Sequence, residues 1–292
     1  MRKYKYFEAT TSDKGIIKPD LIKEIVFLRA EELMVGSQAV PITPMNGLEL
    51  KMQLPKLTRF DPEEVAEGAL SSYQMLEWFT ATNTMKKEQV RVLVTDEAKA
   101  RQQADIQTRT SMELAARGLA WSRDTDIFTT LGAGAGASGS ATAVWDNSSA
   151  ADVLDDVAKA IQYILTNTYM TEQDMKSLKV FYPLGLTGHL AKPLGDGFFP
   201  GTTVRKFVED QYNVTFIGTR QLTTTALLVV NSAEVARHIV YSGSDIPGAE
   251  YQRLPLQGDV YGLQQYYKTF IMPESENGTS NKGIYLITGV DT

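Results

Sequence analysis

The chain has 292 residues, 43% of them hydrophobic and 22% charged, a net charge of −6 and no cysteine. That length and balance suit one large or two smaller globular domains with a sizeable buried core. The lack of cysteine excludes disulfides, thiol catalysis and thiolate metal sites, and the acidic balance leaves no basic footprint for sequence-specific nucleic-acid recognition, although local patches could still touch nucleic acid loosely.

Residues 1–15 are polar and aromatic with no clear period, which predicts an extended arm ordered by a neighbour. Pro19 stands where a first helical turn would start. Leu21, Ile22, Ile25, Val26, Leu28 and Leu33 then follow at roughly helical spacing until Gly36. Leu48, Leu50, Met52 and Leu54 alternate with Glu49, Lys51 and Gln53, a strand pattern closed by Pro55. Val90, Val92 and Val94 mark a second strand. If these two pair, residues 55–87 form a very long excursion between them. Excursions of that size are uncommon in compact domains. Its aromatic residues argue against simple disorder, so an arm packing on another molecule is expected there. The alternative is an ordinary helix over 62–80.

A long helix is predicted from about Asp96 to Asp124, roughly 40 Å at ~1.5 Å per residue, with Thr95 as N-cap and Asp96 and Glu97 at the positive end of its dipole. Arg101, Asp105, Arg109, Glu113 and Arg117 stand four apart with alternating sign. Ala104, Thr108, Ser111, Ala115, Gly118 and Ser122 form a stripe of small residues that would let another backbone come close. Ile106, Leu114 and Trp121 lie on a different side. A simple surface helix shows one apolar face; this pattern predicts separate neighbours on separate sides, with Gly118→Leu disruptive. The competing reading is the central helix of a large monomeric domain.

The run Gly132–Ala141 reads as a flexible loop, without the Lys-Ser/Thr ending of a phosphate-binding loop. Beyond it, Val153, Leu154, Val157, Ile161 and Ile164 or Leu165 mark an amphipathic helix. Strands are expected at Leu178–Tyr182, Val214–Ile217, Ala226–Val230, Gln257–Met272 and Gly283–Val290. A helix is expected at Val204–Tyr212, with loops over Pro183–Thr202 and Glu274–Lys282. The mixed order is α+β, without regular βαβ repeats.

Signs of chemistry are weak. His189 and His238 each stand alone in the sequence. Asp124-x-Asp126 and Asp155-Asp156 are carboxylate pairs that helix ends and solvated faces explain, and no further metal ligands follow at definite spacing. The common hydrolase, metalloprotease and dinucleotide-binding motifs are missing. No enzyme activity, cofactor or metal is expected. The apolar runs fall short of the ~20 residues a membrane helix needs, so no membrane partner is expected. The sequons at Asn147, Asn213 and Asn277 are expected to be chance matches, because no secretory apolar region opens the chain.

In this order the elements resemble the Hong Kong 97-type fold of tailed-phage and archaeal tailed-virus major capsid proteins, shared with encapsulin nanocompartments. Gly15–Ile25 looks like the family's entry segment, and 44–88, including Val65-Ala-Glu-Gly-Ala69, like its extended E-loop. Val90–Glu97 resembles the strand leading into the P-domain spine helix. Trp121–Phe128 and the following glycines resemble the end of that helix. The resemblance implies an N-terminal arm and short helix over 1–43 and an E-loop over 44–89. It implies a P-domain strand, spine helix and Gly-rich loop over 90–149. It places an A-domain over 150–250, with C-terminal strands 251–292 returning to the P-domain. It further implies many copies of the chain, in hexamers and pentamers, closing an icosahedral shell around double-stranded DNA held by non-specific contact. Portal, scaffolding or decoration proteins would be further partners, and the location would be a virion capsid assembled in the host cytoplasm. Scaffolding, where the family uses an N-terminal domain for it, is expected here to be separate or absent, and no residue matches the family's crosslinking motif. On this reading Phe60, Glu67, Tyr73, Trp78 and Phe79 of the excursion, and the charges Arg101, Asp105, Arg109, Glu113 and Arg117, are the expected inter-subunit contacts. An encapsulin shell around a cargo enzyme and a soluble α+β enzyme are the alternatives.

Overall fold

The fold is given by a computed structural model that describes residues 19–47, 49–55, 78–101, 104–146, 150–168, 177–193, 202–242, 249–255, 257–272 and 278–291. In chain order the elements are α1 (Pro19–Leu33), β1 (Ile42–Met45), β2 (Glu49–Pro55), β3 (Trp78–Thr84), β4 (Lys86–Thr95), α2 (Asp96–Ala100) and α3 (Ala104–Ala133). There follow β5 (Ala135–Ser140), α4 (Ala150–Asn167), β6 (Leu178–Pro183), α5 (Thr187–Leu190), α6 (Val204–Tyr212), β7 (Thr215–Thr219), β8 (Thr225–Val230), β9 (Ala236–Tyr241), β10 (Ala249–Leu254), β11 (Gly258–Ile271) and β12 (Asn281–Thr288). Short 3₁₀ turns at Gly36–Gln38 and Leu184–Leu186 complete the set.

One sheet is organised on the long strand β11. β10 pairs beside its first half and β9 beside its second, β1 adds to β9 in parallel, and β4 runs antiparallel along the opposite edge. The second sheet has the order β5-β12-β8-β6-β7. Its centre is β8, where Ala226–Val230 is buried throughout, as expected of a strand covered on both faces. α4 packs on β12 with Val153, Val157, Ala160, Ile161 and Ile164 buried. α6 is capped by Thr203, whose hydroxyl accepts the Lys206 N–H, and ends at Asn213 in the left-handed region, φ 53°. α1 and α3 pack against each other and α3 against β4 and β11. The far end of α3 reaches the second sheet, where Phe128 meets Phe181 edge-on with ring centroids 5.1 Å apart. One apolar core runs through both sheets.

Four expectations need correction. β2 pairs with β3, from Glu49↔Thr84 to Pro55↔Trp78, and not with the Val90–Val94 strand. That strand lies on β11 instead, Val92 opposite Tyr261, with Val92 and Val94 turned into the core. The long helix does not run unbroken from Asp96. A short α2 turns at Arg101, and α3 then continues nine residues beyond Asp124, because Ile127, Phe128 and Leu131 carry its apolar side into the core.

The Gly-rich run is a strand, not a loop. β5 lies parallel to β12, and a Cβ on Gly136 would stand 2.6 Å from the Lys282 Cα and 2.7 Å from the Asn281 carbonyl. Gly139 lies equally tightly against the Tyr285 hydroxyl. The small residues are there for close approach, not for flexibility. Finally, the carboxylate pairs are not simply solvated: Asp124, Asp126 and Asp156 are all buried.

Candidate assembly surface

α3 shows different surroundings on different sides. Its covered side holds Thr108, Met112, Ala115, Ala116, Leu119 and Ala120, and α1 packs along the helix with Ile22, Val26 and Ala30 buried. Its other side is open: Ile106 is 68%, Leu114 62% and Trp121 52% exposed. These three account for half of the large apolar side chains that the described residues expose; Leu28, Leu93 and Leu184 are scattered elsewhere. Single exposed apolar residues need no explanation, but these three share one face of the same helix.

The expected small-residue stripe is split between these sides. Thr108 and Ala115 are buried and the Ser122 hydroxyl is 3.2 Å from that of Tyr267. Gly118 is on the open side with nothing within 4 Å of a Cβ added there. The close approach expected at Gly118 within the chain is therefore absent, because the helix phase turns that position outward.

The charge ladder also divides. Glu113 joins Arg117, at 3.3 Å, and Arg29 of α1, at 3.4 Å. Such half-exposed pairs trim helix geometry and contribute little to stability. Arg109 lines a shallow groove between α1 and α3 with Ile25, Val26, Arg29, Met112 and Glu113. At about 180 Å³ this groove is smaller than the pockets that hold small ligands. Arg101 is exposed in the turn before α3, and the side chain of Asp105 lies outside the described residues. Of the expected contacts in the excursion, Phe60, Glu67 and Tyr73 also lie outside them. Trp78 and Phe79 open β3, opposite Pro55 and Leu54.

A polar cluster that sequence reasoning missed joins α3 to its surroundings. Arg123 is fully buried between the rings of Phe27 and Tyr267, 5.4 and 5.7 Å from its guanidinium carbon, and donates to Gln265. Glu88 of β4 faces it at 3.7 Å. Burial pushes the Glu88 carboxyl above its usual range, with Ser122 and Arg123 pulling the other way. Asp124 accepts the N–H groups of Gly36 and Val35 at 2.8 and 3.0 Å, tying the end of α1 to α3. Burial raises its pKa against those two bonds. Asp126 accepts from Lys86 and from the Thr269 N–H. Burial alone would raise the Asp126 pKa, but these bonds outweigh it and hold it low. His238 is buried, with Nδ1 3.1 Å from the Thr269 hydroxyl; burial, helped by Arg123, lowers its pKa to about 4. A signal existed in the sequence: Arg123 continues the apolar row Met112, Ala116, Leu119, Ile127, where a charge must be paired or costly.

Elsewhere Asp156 accepts the Thr142 N–H, the Thr142 hydroxyl and the Trp145 indole N–H at 2.8, 2.6 and 2.9 Å, fastening the segment after β5 to α4. Among the described residues no group of three or more His, Asp or Glu could hold a metal ion, and no helix is long and apolar enough to cross a membrane.

No family model matches the sequence, and no curated protein matches it significantly. Solved structures do. A virus-like particle protein from Pyrococcus furiosus is similar over 91% of this chain and 97% of its own, with a TM-score of 0.64 at 11% identity. The capsid of a native GTA particle matches over 97% and 95%, with a TM-score of 0.59 at 10% identity. An encapsulin complex from Synechococcus elongatus matches over 85% and 84%, with a TM-score of 0.53 at 10% identity. The chain therefore has an α+β, Hong Kong 97-type capsid fold.

Proposed function

We propose that this chain is a shell subunit that self-assembles into hexamers and pentamers of an icosahedral capsid around double-stranded DNA. The observation that carries the reading is the β2–β3 ribbon. Its two seven-residue strands pair extensively only with each other among the described residues. An isolated two-stranded ribbon is marginal in water, so a ribbon kept in the fold calls for a surface supplied from outside the chain. The open row Ile106, Leu114 and Trp121 on α3 is a second surface in want of cover. Two such surfaces on one molecule suit repeated contact with copies of itself.

In this assignment 1–43 is the arm and first helix, 44–89 the E-loop and 90–149 the P-domain; 150–250 is the A-domain, and 251–292 returns to the P-domain. Trp78 and Phe79 of the ribbon and the exposed Arg101, Arg109 and Arg117 are the inter-subunit contacts. Location in a virion, contact with DNA and any scaffolding or portal partner belong to the same proposal. The similarity to an encapsulin supports the competing reading, a shell around a cargo protein. Both shells are non-enzymatic.

The test is the content of particles purified from expressing cells by density gradient. Nuclease-protected DNA and high absorbance at 260 nm support the capsid. A stoichiometric second protein without nucleic acid supports the encapsulin. A chain that sediments as a monomer at every concentration and salt tried would reject both.

A further inference from the structure

We propose that Lys86, Glu88, Arg123 and Asp126 form a two-point charge clamp that fixes the direction in which the β2–β3 ribbon leaves the body. β3 ends at Thr84 and β4 begins at Lys86, with only the buried Met85 between them. Pairing with β11 starts there, at Lys86↔Tyr267. On one side of this point the chain is held in a sheet with a core beneath it. On the other it belongs to a ribbon that, among the described residues, pairs extensively only within itself. The ribbon is thus anchored at one end by β1, which pairs with β9, and at the other by the first residues of β4, whose hold limits its swing on that side.

Lys86 and Glu88, two apart on a strand, point to the same face, and Arg123 and Asp126, three apart on a helix, share a side. Lys86 bonds Asp126, while Glu88 faces Arg123 at 3.7 Å. The order of signs matters. A two-residue slip of the strand would bring Lys86 to Arg123 in one direction or Glu88 to Asp126 in the other, a like-charge pair against a buried group either way, so the observed register is favoured over both.

The helix side of the clamp cannot follow the strand. Arg123 is wedged between Phe27 and Tyr267, and Asp126 also accepts the Thr269 N–H at 3.2 Å. The strand side has more freedom, since the Lys86 side chain is half exposed. The two points differ in grip. Lys86 is hydrogen-bonded to Asp126, whereas Nε and Nη1 of Arg123 and Oε2 of Glu88 have no hydrogen-bond partner among the described residues. Lys86–Asp126 is the pivot. Glu88–Arg123, held by charge across a gap, sets the angle. These are positioning residues, and the clamp is a property of the single chain that does not rest on the shell reading.

Hydrogen–deuterium exchange of the full chain tests it. Lys86→Glu combined with Glu88→Lys keeps composition and net charge but reverses the order of signs. The amides where β4 starts on β11, residues 86–90 and 263–267, should exchange about tenfold faster, while β8 and β12 keep their protection. Glu88→Gln should give a smaller acceleration with the same distribution, and Lys86→Arg should behave as wild type. Exchange unchanged at the start of β4 in both the reversed variant and Glu88→Gln overturns the clamp. So does an acceleration shared equally by β8 and β12, since that is general loss of stability.

Discussion

The strands β8 and β2 are of similar length, six and seven residues, yet they are completed in different ways. β8 lies between β12 and β6 with Ala226–Val230 buried, so its own chain supplies every neighbour it needs. β2 has only β3. The same contrast divides α3, whose Met112–Leu119 side is covered by the chain and whose Ile106–Trp121 side is open. A sequence can thus spend apolar and strand-forming residues on a fold or on contacts that the fold leaves unmet. The second kind becomes visible only once the first is accounted for.

The sharpest way to break this contrast is to remove the ribbon. Replacing residues 51–82 by a short Gly-Ser turn leaves Glu49 opposite Thr84 and removes none of the core residues found among the described residues. Assembly should be lost entirely by electron microscopy, while the thermal midpoint of the body shifts by only a few degrees, the equivalent of about 1 kcal/mol. A collapse of the midpoint would show that the ribbon belongs to the body after all.

An effect of intermediate size concerns the body alone. His238 has a folded pKa of about 4 against an ordinary value of 6.5. Between these values the unfolded chain binds a proton that the folded chain refuses. Stability is therefore full above pH 6.5 and declines as the pH falls toward 4, by on the order of 3 kcal/mol. Urea unfolding at a series of pH values should show this slope, and His238→Asn should remove most of it in that window.

The smallest effects on folding belong to the open side of α3. Leu114→Lys, at an exposed position, should change the unfolding free energy by no more than about 0.5 kcal/mol, and Gly118→Leu, exposed inside the helix, should stabilise by a little under about 1 kcal/mol through helix propensity. Both should nevertheless impair assembly in sedimentation velocity. Normal assembly by both variants would remove the open face from the contact surface.

Much of the body could be read locally. The alternation Val90, Val92, Val94, the helical spacing Val153, Val157, Ile161, Ile164 and the apolar run of β8 each carry their period within one element, and each forms as expected. Pairing could not be read this way. Nothing in Leu48–Leu54 names its partner, and Thr80, Thr82 and Thr84 were a β-forming signal for β3 that the aromatic residues around them obscured. The composition of β5 is that of a linker, and only its tight fit on β12 makes it a strand. On α3 the spacing separated three sides but could not say which would be covered, hence the misplacement of Gly118. The carboxylates Asp124 and Asp126 looked like a solvated helix end because their partners, Lys86 and the N–H groups of Val35, Gly36 and Thr269, come from distant parts of the chain.

The central claim, that copies of the chain complete what the chain itself leaves open, is tested most directly by electron cryomicroscopy of the purified wild-type protein. The account predicts closed shells in which the β2–β3 ribbon of each subunit lies on another copy and Ile106, Leu114 and Trp121 are covered at a subunit contact. A monomer with the ribbon folded against its own body, or shells in which both surfaces face solvent, would contradict it.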